Sequence, residues 1–104
     1  MNIGVLGAGS WAIALSVLLN KKDHSICMWE FNKDDADMLL KNREHTVKLP
    51  GVTIPESIKI SNDITDPFIA ADYILCVVPA QKVRDTMKLI AQTVDPAVIE
   101  IEKG

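Results

Sequence analysis

The sequence has little of what would tie a protein to a membrane or to nucleic acid. Its apolar runs fall far short of the roughly 20 residues that a membrane-spanning helix needs. No basic segment precedes the first apolar run, as one would in a signal peptide. With 11 basic and 14 acidic side chains the formal net charge is −3, so there is no positive excess to neutralise a row of phosphates. We therefore expect no membrane span and no nucleic-acid partner.

Cysteine and clustered metal ligands are also scarce. Cys27 and Cys76 both lie in apolar runs, and we expect two buried free thiols rather than a disulfide. Free thiols fit a reducing cytoplasm, which is the location we expect. His24 and His45 stand apart from other ligand-type side chains, so no metal site is expected.

What is present is typical of one globular domain. The chain has 104 residues, of which 48% are hydrophobic and 24% are charged. This length allows a single domain with an ordinary hydrophobic core, and the mixture of residues is that of a folded, soluble protein.

Strand-like and helix-like patterns alternate along the chain. Strands are predicted at 2–6, 25–30, 58–61, 73–78 and 97–101, and helices at 10–20, 33–44, 63–71 and 80–94. Short loops between them favour parallel βαβ units with right-handed crossovers. The fold class is therefore predicted as α/β, a Rossmann-like doubly wound parallel sheet of about five strands in the order 3-2-1-4-5.

Several local features refine this prediction. Ser10 and Asn32 are placed to cap the first two helices. The run at 73–78 has no polar alternation, as expected for a strand covered on both faces. Val83, Met87 and Ile90 recur at helical spacing and predict the apolar face of the last helix.

A glycine-rich turn follows the first strand. The segment from Gly7 to Ala12 reads Gly-Ala-Gly-Ser-Trp-Ala and matches the dinucleotide fingerprint G-x-G-x-x-A. Gly7 permits the tight turn, Gly9 lets a diphosphate approach the backbone, and the small Ala12 lets the helix pack closely on the sheet. The helix N-terminus then offers N–H groups to the phosphates. Its position between strand and helix supports dinucleotide binding.

An acidic residue ends the second strand. Glu30 lies 21 positions after Gly9, close to the spacing of about 20 at which such a residue binds the ribose hydroxyls. Its charge would repel the 2′-phosphate of NADP, so NAD is favoured over NADP, although the sequence leaves both open. Phe31 could stack on the adenine or cover the sheet edge.

The chain resembles a known family over nearly its whole length. The segments that carry the resemblance are Gly7-Ala8-Gly9-Ser10-Trp11 with Ala14-Leu15, Met28-Trp29, Leu49-Pro50-Gly51-Val52 with Ile54-Pro55, Asn62-Asp63, Val77-Val78-Pro79 and Lys103-Gly104. Together they are similar to the start of NAD(P)-dependent glycerol-3-phosphate dehydrogenase. The resemblance implies hydride transfer between a nicotinamide cofactor and dihydroxyacetone phosphate to give sn-glycerol 3-phosphate, the backbone of phospholipids.

The resemblance also implies roles for individual residues. Ser10 and Trp11 would contact the cofactor, Phe31 would lie near its adenosine end, and Pro79 would line its nicotinamide side. Lys103 would lie by both the nicotinamide and the substrate, where an ammonium can polarise a carbonyl and attract a phosphorylated substrate. We therefore expect it to be catalytic and to bind cofactor and substrate.

Two of the binding positions depart from the family pattern. Ala12 replaces a usual glycine, and Glu30 stands where relatives often have a small residue.

The resemblance further implies that residues 1–104 form an incomplete cofactor-binding domain. A C-terminal helical domain with the main catalytic residue is expected outside this chain, so the 104 residues alone should be inactive. A homodimer is one assembly that the full-length enzyme could adopt. Two alternatives stay open: another two-domain reductase, of the ketopantoate or hydroxyacid type, and a nucleotide-sensing module without catalysis.

Overall fold

A computed structural model describes residues 1–93 of the chain. Within them lie four strands, three α-helices and one turn of 3-10 helix. The predicted fifth strand at 97–101 and Lys103 lie outside the described residues.

The strands form one parallel sheet with helices on both faces. The elements, in chain order, are β1 (Asn2–Leu6), α1 (Ser10–Lys21), β2 (Ser25–Trp29), α2 (Lys33–Asn42), β3 (Lys59–Ser61), the 3-10 turn (Asp66–Phe68), β4 (Tyr73–Cys76) and α3 (Ala80–Thr93). The strand order is β3-β2-β1-β4, and each neighbouring pair is parallel. The prediction of a doubly wound, Rossmann-like sheet is confirmed for these four strands.

The larger part of the core lies between the sheet and helices α1 and α2. Val5 and Met28 from the two central strands are fully buried there, together with Ile13 of α1 and Leu39 of α2. The buried Ser16 hydroxyl donates to the Met28 sulfur at 3.7 Å, so the one polar group on this face of α1 has a partner. The hydrophobic burial on this face fixes α1 against β1 and β2.

The other face carries a smaller cluster beneath α3 and the 3-10 turn. Leu6, Trp29, Ile64 and Ile90 form it, with Phe68 packed against them. Trp29 is 1% exposed, and its indole Nε1–H donates to the Asn62 carbonyl at 3.1 Å. The end of β2 is therefore anchored on this face.

Two predictions about helix starts have different outcomes. Asn32 does cap α2, since its side chain accepts from the Asp35 N–H at 3.1 Å. The prediction that Ser10 caps α1 is wrong. Ser10 is the first residue of the helix, Gly9 is the capping residue, and no side chain caps this end.

The predicted helix at 63–71 is also wrong. Only Asp66–Phe68 is helical, as a single 3-10 turn. The Asp63 carboxylate accepts from both the N–H and the hydroxyl of Thr65. Pro67 lacks a donor, and Ala70 adopts a positive φ of 55°, so a longer α-helix cannot form.

The predicted apolar face of α3 is turned by about one residue. Thr86 and Ile90 are the buried positions, whereas Val83 is 38% and Met87 45% exposed. Periodicity alone does not show which edge of an apolar stripe meets the sheet.

β4 is less covered than predicted. Tyr73 and Cys76 are exposed and Cys27 is half-buried, so the prediction of two buried thiols is wrong. Among the described strands β4 pairs only with β1, which leaves its outer edge without a described neighbour.

Candidate functional site

The strand register brings four chain segments to one edge of the sheet. Leu6 of β1 pairs with Trp29 of β2 and Cys76 of β4, and Trp29 pairs with Ser61 of β3. The residues that follow these strands therefore meet at the carboxyl edge. The order of strands reverses between β1 and β4, and it is beside such a switch point that open α/β sheets bind their ligands.

A cleft of about 760 Å³ opens at this edge. The binding residues predicted from the sequence that lie in the described part of the chain all line it: Gly7, Gly9, Ser10, Trp11, Ala12, Glu30, Phe31 and Pro79. The structure thus brings together residues separated by up to 72 positions. Lys103 lies outside the described residues.

Gly7 makes the sharp exit from β1. Its φ is +123°, and a Cβ built there would lie 2.7 Å from the carbonyl oxygen of Val77. The Gly7 N–H donates to the Trp29 carbonyl, and the Val77 N–H donates to the Leu6 carbonyl, each at 2.8 Å. Glycine is therefore required at position 7 by the protein itself.

Gly9 differs, because nothing in residues 1–93 requires a glycine there. Its φ is −79°, which any residue can adopt, and a Cβ built on it would meet nothing within 4 Å. The position lines the cleft at the start of α1, where no side chain caps the helix. The amides of the first turn are thus available to an anionic group, and a bare backbone leaves room for it.

The two residues after Ser10 differ sharply in exposure. Ala12 is 1% exposed and packs in the core between helix and sheet, which agrees with its predicted packing role. Trp11 is 76% exposed beside the cleft, so its indole ring packs little against the hydrophobic core.

The segment after β2 is held by an amide side chain from the loop after β3. The Asn62 side chain donates to the carbonyls of Glu30 and Phe31, at 2.8 and 2.9 Å. One Glu30 carboxylate oxygen accepts from the Asn32 N–H at 3.0 Å. These bonds fix the acidic residue at the cleft.

Phe31 presents its ring to the cleft and is 51% exposed. It meets Trp29 edge-on, with centroids 5.9 Å apart and an interplanar angle of 89°. The Lys82 ammonium lies 5.5 Å from the Phe31 ring centroid. A cation from α3 therefore reaches the segment after β2.

Sequence reasoning did not assign to the binding site several residues that also line the cleft: Asn32, Asp35, Lys48, Lys82 and Thr86. Lys48 lies in a loop whose path no periodicity predicts. Lys82 and Thr86 follow Pro79 by three and seven positions, and this closeness to a predicted binding residue was the one available signal.

No helix in residues 1–93 has the length and hydrophobicity to cross a bilayer. In the same residues, no three His, Cys, Asp or Glu side chains are grouped as metal ligands would be.

The parallel sheet, with its glycine turn at the switch point, defines the class of Rossmann-like α/β proteins. The family model for the NAD-dependent glycerol-3-phosphate dehydrogenase N-terminus matches residues 2–104. The chain therefore belongs to this family.

Similar proteins agree with this assignment. A glycerol-3-phosphate dehydrogenase [NAD(P)+] of Prosthecochloris aestuarii is 45% identical over 91 residues, which are 88% of this chain and 27% of the relative. The Fusobacterium nucleatum enzyme of the same name is 31% identical, over all of this chain and 32% of its own length. The crystal structure of glycerol-3-phosphate dehydrogenase from Coxiella burnetii superposes with a TM-score of 0.82 at 28% identity, covering 89% of this chain and 29% of that one. The chain thus spans about a third or less of the length of these relatives.

Proposed function

We propose that this chain is the NAD(P)-binding domain of an enzyme that transfers a hydride between NAD(P)H and dihydroxyacetone phosphate, giving sn-glycerol 3-phosphate. The observation that carries the proposal is Gly9, a cleft glycine that neither its backbone conformation nor its packing within residues 1–93 requires. A ligand that must approach the backbone there accounts for it, and a nucleotide diphosphate is such a ligand.

The phosphate end of the cofactor is assigned to the start of α1. The diphosphate accepts hydrogen bonds from the amides that follow Gly9, and the positive end of the helix dipole favours its charge. Ser10 lies in the first turn beside it. The exposed indole of Trp11 covers the bound nucleotide from the solvent side.

The adenosine end is assigned to the segment after β2. The free oxygen of Glu30 accepts from the ribose hydroxyls, and the Phe31 ring packs on the adenine. Because a carboxylate repels a 2′-phosphate, we expect NADH to bind more tightly than NADPH.

The nicotinamide end is assigned to Pro79 and Lys103. When bound, the nicotinamide supplies or accepts the hydride. Pro79 shields that side of the cleft from water, and the Lys103 ammonium polarises the substrate carbonyl and attracts the substrate phosphate. We assign the main catalytic residue to a helical domain outside residues 1–104, and the full-length enzyme to the cytoplasm, with a homodimer as one assembly open to it.

The test is a calorimetric titration of the purified protein with NADH and NADPH. In Gly9→Asp, a carboxylate caps α1 well but lies where the diphosphate should bind. We expect this variant to keep its thermal stability and to lose about 100-fold in NADH affinity, because two like charges close together near a surface repel by a few kcal/mol.

Gly9→Asn is the matched control, since it has the same shape without the charge and should lose less affinity. Unchanged NADH binding in Gly9→Asp would refute the proposed phosphate site. Equal binding of NADH and NADPH by the unaltered protein, or tighter NADPH, would remove the role given to Glu30.

A further inference from the structure

Lys82 reaches the adenosine end of the cleft from the opposite side. It lies in the first turn of α3, which follows β4, while Phe31 follows β2 two strands away. Its ammonium nevertheless lies 5.5 Å from the centroid of the Phe31 ring. Both side chains line the same cleft as Glu30.

The charged side chains that line the cleft balance one another, so the cleft as a whole is not acidic. The carboxylates of Glu30 and Asp35 line it, and so do the ammonium groups of Lys48 and Lys82. Among residues 1–93, neither lysine forms an ion pair. One oxygen of Glu30 is already engaged by the Asn32 N–H.

A cation above an exposed aromatic ring is held only weakly. The Lys82 ammonium can therefore leave Phe31 for a stronger acceptor at small cost. Its four-carbon stem is flexible, and a phosphate offers a charged hydrogen bond in place of the ring.

We propose that Lys82 is a specificity-determining residue that pairs with the 2′-phosphate of NADPH and lets the cleft accept this nucleotide beside Glu30. The inference rests on the proposed function of the cleft. Because Glu30 and Phe31 are adjacent, a ribose held by Glu30 would lie beside the ring that the Lys82 ammonium overhangs. Glu30 then sets a preference for NADH, and Lys82 limits how large that preference becomes.

The experiment measures the affinities for NADH and NADPH in the purified protein and in three variants. Lys82→Met keeps the apolar stem and removes the charge, whereas Lys82→Arg keeps the charge. Lys88→Met removes a charge from an exposed position of the same helix that does not line the cleft.

We expect Lys82→Met to lower the affinity for NADPH about tenfold and to change the affinity for NADH less than about twofold. The reason is that a hydrogen bond to a charged phosphate is lost only with NADPH. Lys82→Arg and Lys88→Met should keep the original ratio. Raising the salt concentration should weaken NADPH more than NADH in the unaltered protein, and this difference should shrink in Lys82→Met. The fragments adenosine 2′,5′-bisphosphate and 5′-AMP should show the same contrast without the nicotinamide.

The outcomes separate this inference from the proposed function. If the unaltered protein binds both nucleotides and Lys82→Met leaves their ratio unchanged, the role of Lys82 is refuted and the proposed function stands. An equal loss for both nucleotides means that Lys82 packs on the adenine, which also refutes recognition of the 2′-phosphate. If the unaltered protein binds neither nucleotide, both proposals fail.

Discussion

At the scale of single residues, the two cysteines differ in a way that the sequence did not reveal. Burial, with a smaller contribution from the nearby Asp66 carboxylate, raises the pKa of the Cys27 thiol from 9.0 to about 11. Cys76 is exposed and lines the candidate nucleotide cleft. Both cysteines lie in apolar runs. They differ in exposure because β4 lies at the edge of the described sheet, whereas β2 has a strand on each side.

We expect iodoacetamide at pH 8 to modify Cys76 first, with Cys27 at least about tenfold slower, because the thiolate is the reactive form. Peptide mapping by mass spectrometry over a time course gives the two rates, and NADH should protect Cys76. Equal rates for the two thiols would contradict the partial burial of Cys27.

The raised pKa of Cys27 also sets the sign of a pH effect on stability. In the unfolded chain the thiol ionises near pH 9, whereas in the folded protein it stays neutral to about pH 11. The contribution of this pKa shift to the free energy of unfolding is therefore complete below pH 9 and is lost as the pH rises towards 11. Denaturant unfolding measures this effect. Between pH 9 and 11 the free energy of unfolding should fall less in Cys27→Ser than in the unaltered protein.

At the scale of elements, the sequence predicted where strands and helices lie better than how they meet. The strand β1 and the capping of α2 by Asn32 follow from local patterns, and the structure confirms both. The buried side of α3 and the single turn at 66–68 depend on tertiary contacts. Val83 and Thr86 lie less than one turn apart, and hydrophobicity alone selects the wrong one as the buried residue.

Asn62 connects the loop after β3 to the segment after β2, and we can predict the effect of removing its side chain. Its side chain holds the segment after β2 through the carbonyls of Glu30 and Phe31. Asn62→Ala should destabilise the protein by about 1–2 kcal/mol, because two hydrogen bonds are lost. The substitution should also lower the affinity for NADH several-fold, because the segment that carries Glu30 is no longer held in place. Chemical denaturation and nucleotide titration measure the two effects.

Asn42→Ala, at an exposed position outside the cleft, is the control and should change neither quantity appreciably. Full NADH affinity in a destabilised Asn62→Ala would show that Asn62 supports the fold alone.

At the scale of the whole molecule, the predicted topology and the meeting of distant residues at one sheet edge were accessible from sequence. Parallel βαβ order forces the carboxyl ends of β1, β2 and β4 to the same side, so Gly9, Glu30 and Pro79 could be expected together. Lys48 and Lys82 could not, since loop paths and helix rotation decide which cations reach that edge.

The chain spans about a third or less of its relatives, and this leads to a prediction about catalysis. We expect a protein of these 104 residues to bind NADH but not to reduce dihydroxyacetone phosphate. The assay measures the loss of NADH absorbance that such a reduction would cause. In the full-length enzyme, Lys103→Ala should lower the rate by about 100-fold or more, as loss of an electrostatic group at a developing charge does. Turnover by the 104 residues, or an unaffected Lys103→Ala enzyme, would contradict these assignments.

The close approach of Gly7 to the Val77 carbonyl couples two stretches of chain that are 70 positions apart. A mutant library that randomises position 7 alone should yield almost no folded members besides the parent, because any side chain there meets a rigid carbonyl in a disfavoured backbone conformation. Engineers who wish to reshape this turn for another nucleotide must vary the backbone around Val77 in the same library.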